Sequence, residues 1–168
     1  MANVRDWLYW RLMRDFGVRG RGEYVNDNGT VFWDDSTGQF YEWTKMTHAS
    51  WAKSGITSCT SFLYWVHMHI VNEGGFKPAG HWTTLPKLRG WHTGTEGAQY
   101  GDFFQFIPNH VGVLLDINGN LAEYLAGGAD TQTKGRISWS TDYVPPAGFK
   151  FWGYLNIEEY YSGGTSEY

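Results

Sequence analysis

A second cysteine is absent from this 168-residue chain, which excludes an internal disulfide and any multi-cysteine metal cluster. Positive charge is also in short supply. Thirteen Lys and Arg residues against seventeen Asp and Glu give a formal charge of -4, so there is no broad electrostatic draw toward nucleic acid or an anionic membrane, and neither is expected as a partner. No apolar run reaches the roughly twenty residues that span a bilayer, so membrane insertion is not expected either. The opening Met1-Ala2-Asn3-Val4-Arg5-Asp6-Trp7 lacks a basic segment followed by an apolar core, and a conventional signal peptide is not expected. Delivery by another machine, or release by lysis, is the route to the outside that this leaves. No repeat, heptad or linker divides the chain. The length suits one core and one domain over residues 1–160, expected to be a monomer, with residues 161–168 as a loose Ser/Gly-rich tail.

Aromatic residues, by contrast, are abundant: ten Trp, eleven Tyr and ten Phe. Most are expected in the core or on half-buried sheet faces. A minority are expected to line a cleft for a sugar-bearing or peptide substrate, with Trp82, Trp91 and Trp139 as the candidates. Asn28-Gly29-Thr30 fits a glycosylation sequon, but its turn-like composition accounts for it without a sugar.

The apolar pattern of residues 4–16 predicts a helix, stopped by Gly17, Gly20 and Gly22. Short strands are expected at Glu23-Tyr24-Val25, Thr30 to Trp33 and Gln39 to Trp43. Thr57 or Ser58 is placed to cap a helix from about Cys59 to Val71, ended by Asn72, Gly74 and Gly75. Residues 76–100, punctuated by Pro and Gly, read as a long loop or short turns forming one wall of a cleft. From Asp102 the period becomes that of strands. Phe103 to Phe106, His110 to Leu115, Leu121 to Leu125, Gly135 to Trp139 and Phe149 to Leu155 suggest an antiparallel meander, with a tight hairpin at Ile117-Asn118-Gly119-Asn120.

Cys59 would stand in the first turn of its helix, where unpaired backbone amides stabilise negative charge. His110 opens a strand, and alternation puts Gly112 beside it on the same face. Glu123 stands on the next strand. The three form a workable order of nucleophile, base and orienting carboxylate: Cys59 attacks a carbonyl carbon, His110 pairs with the thiolate and then protonates the leaving amine, and Glu123 orients the imidazole. Asp116 is the competing carboxylate. Cys59 and His110 are expected on facing edges of one cleft. A lone cysteine is more often an inert core residue, and it is the capped setting and the later histidine that shift the reading to catalysis.

His67 and His69 are two apart and point to different sides of a helix, while His81 and His92 lie in the punctuated segment, and no short two-ligand motif marks a zinc site. No metal or other cofactor is expected. A glycosidase using Asp34, Asp35, Glu42 or Glu96 is a competing enzyme class, although adjacent Asp34 and Asp35 fit a solvated turn better. A non-enzymatic glycan-binding module is the alternative of a different kind.

The ordered pieces Ser58-Cys59-Thr60-Ser61-Phe62, Gly101-Asp102-Phe103-Phe104 and His110-Val111-Gly112-Val113 resemble the NlpC/P60 and CHAP families of papain-like cysteine peptidases and amidases, over roughly residues 55–125. Glu123 matches the carboxylate position of CHAP-like members, and Tyr41 is the nearest match to an upstream tyrosine that helps form the oxyanion site. The residue before the nucleophile, often Asp or Gln in those families, is Ser58. The resemblance implies an α+β papain-like fold, with the nucleophile helix packed on an antiparallel β-sheet. It also implies hydrolysis of an amide bond in bacterial peptidoglycan stem peptides without a cofactor. A delivered antibacterial effector or phage lytic component is the implied setting, with an inhibitor or immunity protein as partner. The same thiol chemistry would serve another amide or ester.

Overall fold

The computed structural model describes residues 3–16, 31–33, 59–107, 110–118, 121–127, 137–143 and 152–163. The expected strands at Glu23 to Val25 and Gln39 to Trp43, and the capping residues Thr57 and Ser58, lie outside these.

Helix α1 spans Val4–Phe16. It starts where the Asn3 side chain accepts from the Asp6 amide at 2.9 Å, satisfying one of the unpaired N–H groups of a helix end. Val4, Trp7, Leu8 and Leu12 recur at helical spacing and are all buried. Helix α2 spans Cys59–Asn72 and buries Phe62, Leu63, Val66 and Ile70 on one face. It ends as the amides of Glu73 and Gly74 both turn back to the carbonyl of His69.

The described strands are β1 (Val31–Trp33), β2 (Phe76–Pro78), β3 (Trp91–Thr93), β4 (Phe103–Ile107), β5 (His110–Asn118), β6 (Leu121–Ala126), β7 (Ile137–Tyr143), β8 (Gly153–Leu155) and β9 (Tyr161–Gly163). A four-residue helix, α3 (Ile157–Tyr160), is capped by the Asn156 side chain. Seven strands form one antiparallel sheet in the order β1-β7-β6-β5-β4-β8-β3, and β2 pairs with β9 in a separate ribbon. The run β4 to β7 forms the first four strands of the expected meander, but the fifth, β8, does not follow β7 and instead pairs with β4 on its other side. Asn118 pairs with Leu121, so β5 and β6 are joined by two residues, as the Asn-Gly signal predicts.

Strand alternation sorts the core into two layers. Val111, Val113 and Leu115 of β5, with Phe103 and Leu125, pack against α1, α2 and α3. Phe104, Phe106, Leu114, Tyr124, Trp152 and Tyr154 form an aromatic cluster on the opposite face. Helices on an antiparallel sheet make this an α+β domain.

Two expectations are corrected. Residues 76–100, expected as a long loop or short turns, hold a 3-10 turn at Leu85–Lys87 but also two strands, β2 and β3. The loose tail does not begin at residue 161: Tyr161 is buried and Tyr161–Gly163 pairs with β2, because the phenol ring fills the core under α2.

One polar cluster fastens these layers. Asp102 is 0% exposed; its Oδ1 lies 2.9 Å from Nη1 of Arg5 and accepts from the Ile157 amide at 3.2 Å, while Oδ2 accepts from the Gln99 amide at 2.8 Å. Arg5 also donates to the Tyr100 carbonyl at 2.6 Å. One carboxylate thus ties α1, the turn before β4 and the start of α3. Burial pushes its carboxyl above the ordinary aspartate value, against the pull of Arg5 and the two amides.

Candidate active site

Cys59 is the first residue of α2 and is half-buried, packed against the helical-face core. Helix α2 lies against β5 and touches β6. His110 is the first residue of β5, as expected, and Glu123 is on β6. Glu123 alternates with Tyr124 and shares the helical side with Leu125. It is 1% exposed and pairs in register with Asp116 across an irregularity in β5.

The imidazole of His110 is directed otherwise. Its ring centroid lies 5.1 Å from Phe106, 5.6 Å from Tyr124 and 6.3 Å from Phe104, all edge to face, and all three belong to the aromatic cluster on the side away from α2. The next residue, Val111, faces the helices. Cys59 and Glu123 therefore lie on the helical side of the sheet while the ring of His110 lies on the other. Gly112, on the same face as the histidine, permits a close approach. A Cβ there would stand 2.5 Å from the Leu125 carbonyl oxygen and 3.0 Å from the Phe104 ring, so the glycine lets β6 and an aromatic ring approach.

The aromatic candidates divide. Trp82 is half-buried rather than exposed, stacked at 4.4 Å on His67 with Phe103 and Tyr160 at its edges. Trp91 is half-buried against the same core. Both serve packing. Tyr41 and the side chain of Trp139 lie outside the described residues, as do Asp34, Asp35 and Glu42; Glu96 is exposed.

Two histidines on α2 carry polar contacts that composition does not reveal. His67 is buried, with Nδ1 2.7 Å from the Tyr161 hydroxyl, and burial pushes its imidazole down to about 4. His69 meets Glu73 and lies 3.2 Å from Nη2 of Arg11, which also pairs with Glu73. Burial pushes the Glu73 carboxyl up, but Arg11, His69 and Arg14 together hold it below its ordinary value. The two histidines thus have separate partners. Among the described residues, no three His, Cys, Asp or Glu side chains are grouped to hold a metal ion.

No family model, curated protein or solved structure matches this chain. Among the described residues, no helix is long and apolar enough to cross a membrane.

Proposed function

We propose that this chain is a papain-like thiol hydrolase that cleaves an amide bond, with peptidoglycan stem peptides as its substrate. The observation that carries the reading is the position of Cys59: a half-exposed thiol on the first residue of a 14-residue helix that lies on an antiparallel sheet. There the positive end of the helix dipole favours an anionic nucleophile and an oxyanion.

In this mechanism the Cys59 thiolate attacks the carbonyl carbon, and the Cys59 amide donates to the developing oxyanion. The C–N bond breaks as His110 gives its proton to the departing amine, leaving a thioester. Water then attacks the thioester carbon, His110 takes the water's proton, and the C–S bond breaks to release the acid and regenerate the thiolate. In this mechanism the His110 ring exchanges its contacts with Phe104, Phe106 and Tyr124 for the thiolate. Glu123 waits on the helical side as the orienting carboxylate. A delivered antibacterial effector or phage lytic component fits this activity.

A second reading, a non-enzymatic glycan-binding module, is favoured by one observation: the His110 ring packs with Phe104, Phe106 and Tyr124, where it serves the core.

Incubating peptidoglycan fragments with wild type, Cys59→Ala and His110→Ala, with products identified by mass, separates the two. Paired products bearing a new carboxylate and a new amine are expected from wild type alone. Undiminished product from Cys59→Ala would sink the mechanism. Fragment binding without turnover by all three proteins would establish the binding module.

A further inference from the structure

The β2/β9 ribbon, the turn at residues 88–90 and α3 enclose a groove of about 530 Å³, of the size of small-ligand sites. Its polar lining is Lys77, Arg89, Glu158, Glu159, Tyr160 and Ser162. It lies beside the middle of α2, where the ring of lining residue Tyr160 comes within 6.3 Å of His67.

The charges in this groove are unequally satisfied. Glu158 accepts from Asn3 at 2.8 Å and lies 3.4 Å from Nε of Arg5. Both oxygens of Glu159 lie 3.0 Å from Nε2 of His92. Lys77 and Arg89 are exposed, and among the described residues neither makes an ion pair or a side-chain hydrogen bond. The acids are engaged inside the protein, and the cations are left for something outside it.

Both walls are built. Lys77 stands opposite Ser162 in the ribbon, next to the buried Phe76, so its ammonium is on the outer face. Arg89 is held by the turn ending at Gly90. The Gly90 carbonyl accepts from the Asn156 amide at 2.9 Å, its φ is +100°, and a Cβ there would stand 2.9 Å from the Asn156 oxygen and 3.0 Å from Cβ of Glu159. Only glycine lets the turn close this tightly on α3. Between the walls, Tyr160 is fixed by its hydroxyl donating to the Gly80 carbonyl and its own carbonyl accepting from Ala79, both at 2.7 Å.

We propose that this groove binds the terminal carboxylate of a short peptide, between the ammonium of Lys77 and the guanidinium fork of Arg89. A planar carboxylate matches the guanidinium of Arg89, which grips it with two parallel N–H bonds. The nearby Glu158 and Glu159 repel a dianionic phosphate more strongly than a carboxylate, and they offer acceptors to peptide N–H groups. The volume far exceeds what a bare phosphate fills. The site is independent of the hydrolase reading, since no residue of it takes part in that chemistry.

Calorimetric titration at low salt with N-acetyl-alanyl-alanine, its C-terminal amide and inorganic phosphate tests this. The acid is expected to bind saturably and the amide about tenfold more weakly, the worth of a charge-assisted hydrogen bond. Lys77→Gln and Arg89→Gln each lower affinity for the acid about fivefold to tenfold, and the double variant binds acid no better than amide. Unchanged melting temperatures confirm that these exposed side chains are not needed for folding. Equal binding of acid and amide, tighter binding of phosphate than of the acid, or undiminished acid binding by the double variant would each overturn the proposal.

Discussion

The hydroxyl of Tyr161 stands 2.7 Å from Nδ1 of His67, joining the strand that follows α3 to the middle of α2. Burial, with a further push from Tyr160, raises the Tyr161 phenol well above its ordinary value, so it stays protonated beside Nδ1. Burial lowers the His67 imidazole to about 4, so the ring is neutral near pH 7.

Stability is therefore expected to depend on pH through His67. The unfolded imidazole titrates near 6.5 and the folded one near 4, so between these values the unfolded state binds more protons. The stabilising effect of the neutral ring is full above pH 6.5, falls as pH drops toward 4, and levels off below that. Urea midpoints measured across this range should show the slope in wild type and lose most of it in His67→Phe. An equal slope in the variant would assign it to other groups.

Asp102 is the second stability test. Asp102→Ala leaves two backbone amides and the Arg5 guanidinium, 13% exposed, without their shared acceptor. A loss of about 3–5 kcal/mol is expected, the usual cost of removing one partner of a buried ion pair. Chemical denaturation checks it, and a loss under about 1 kcal/mol would mean that water replaces the carboxylate.

Gly112→Ala probes the contact between β5 and β6. The nearest neighbour of an added methyl is a backbone oxygen 2.5 Å away, which no rotamer change can relieve. Destabilisation of about 1–3 kcal/mol is expected, with the Phe104 and His110 ring resonances shifted in proton NMR. A melting temperature equal to that of wild type would contradict the packing described.

Glu123→Gln separates an orienting role from a structural one. If Glu123 only orients His110, the variant should fold normally and turn over faster than Cys59→Ala, because thiol and imidazole remain. A rate equal to wild type would remove Glu123 from the mechanism and leave Asp116 as the carboxylate to test.

Much of the local structure is legible without coordinates. The apolar spacing from Val4 and from Cys59 marks both long helices, and the period-two runs after Asp102 mark β4 to β6, because a helix or strand must show one side to the core at its own period. The Ile117-Asn118-Gly119-Asn120 stretch marks the β5/β6 hairpin, whose strands pair up to Asn118 and Leu121. The ordered elements carrying Cys59, His110 and Glu123 are visible at this level as well.

What periodicity could not supply is which side of the sheet the helices cover. The strand pattern places His110, Gly112 and Leu114 together, but α2 packs over Val111, Val113 and Leu115, and that choice puts the imidazole among Phe104, Phe106 and Tyr124. The same holds for Tyr161, which reads as the start of a tail until the ribbon with β2 and the contact with His67 are formed. Lys77 and Arg89, twelve residues apart in sequence, come to line one groove only when Gly90 clamps its turn on α3. Alternation is a local property of the backbone, enforced residue by residue. The facing of layers and the meeting of distant charges depend on how whole elements bury their surfaces against each other, and only the tertiary structure decides that.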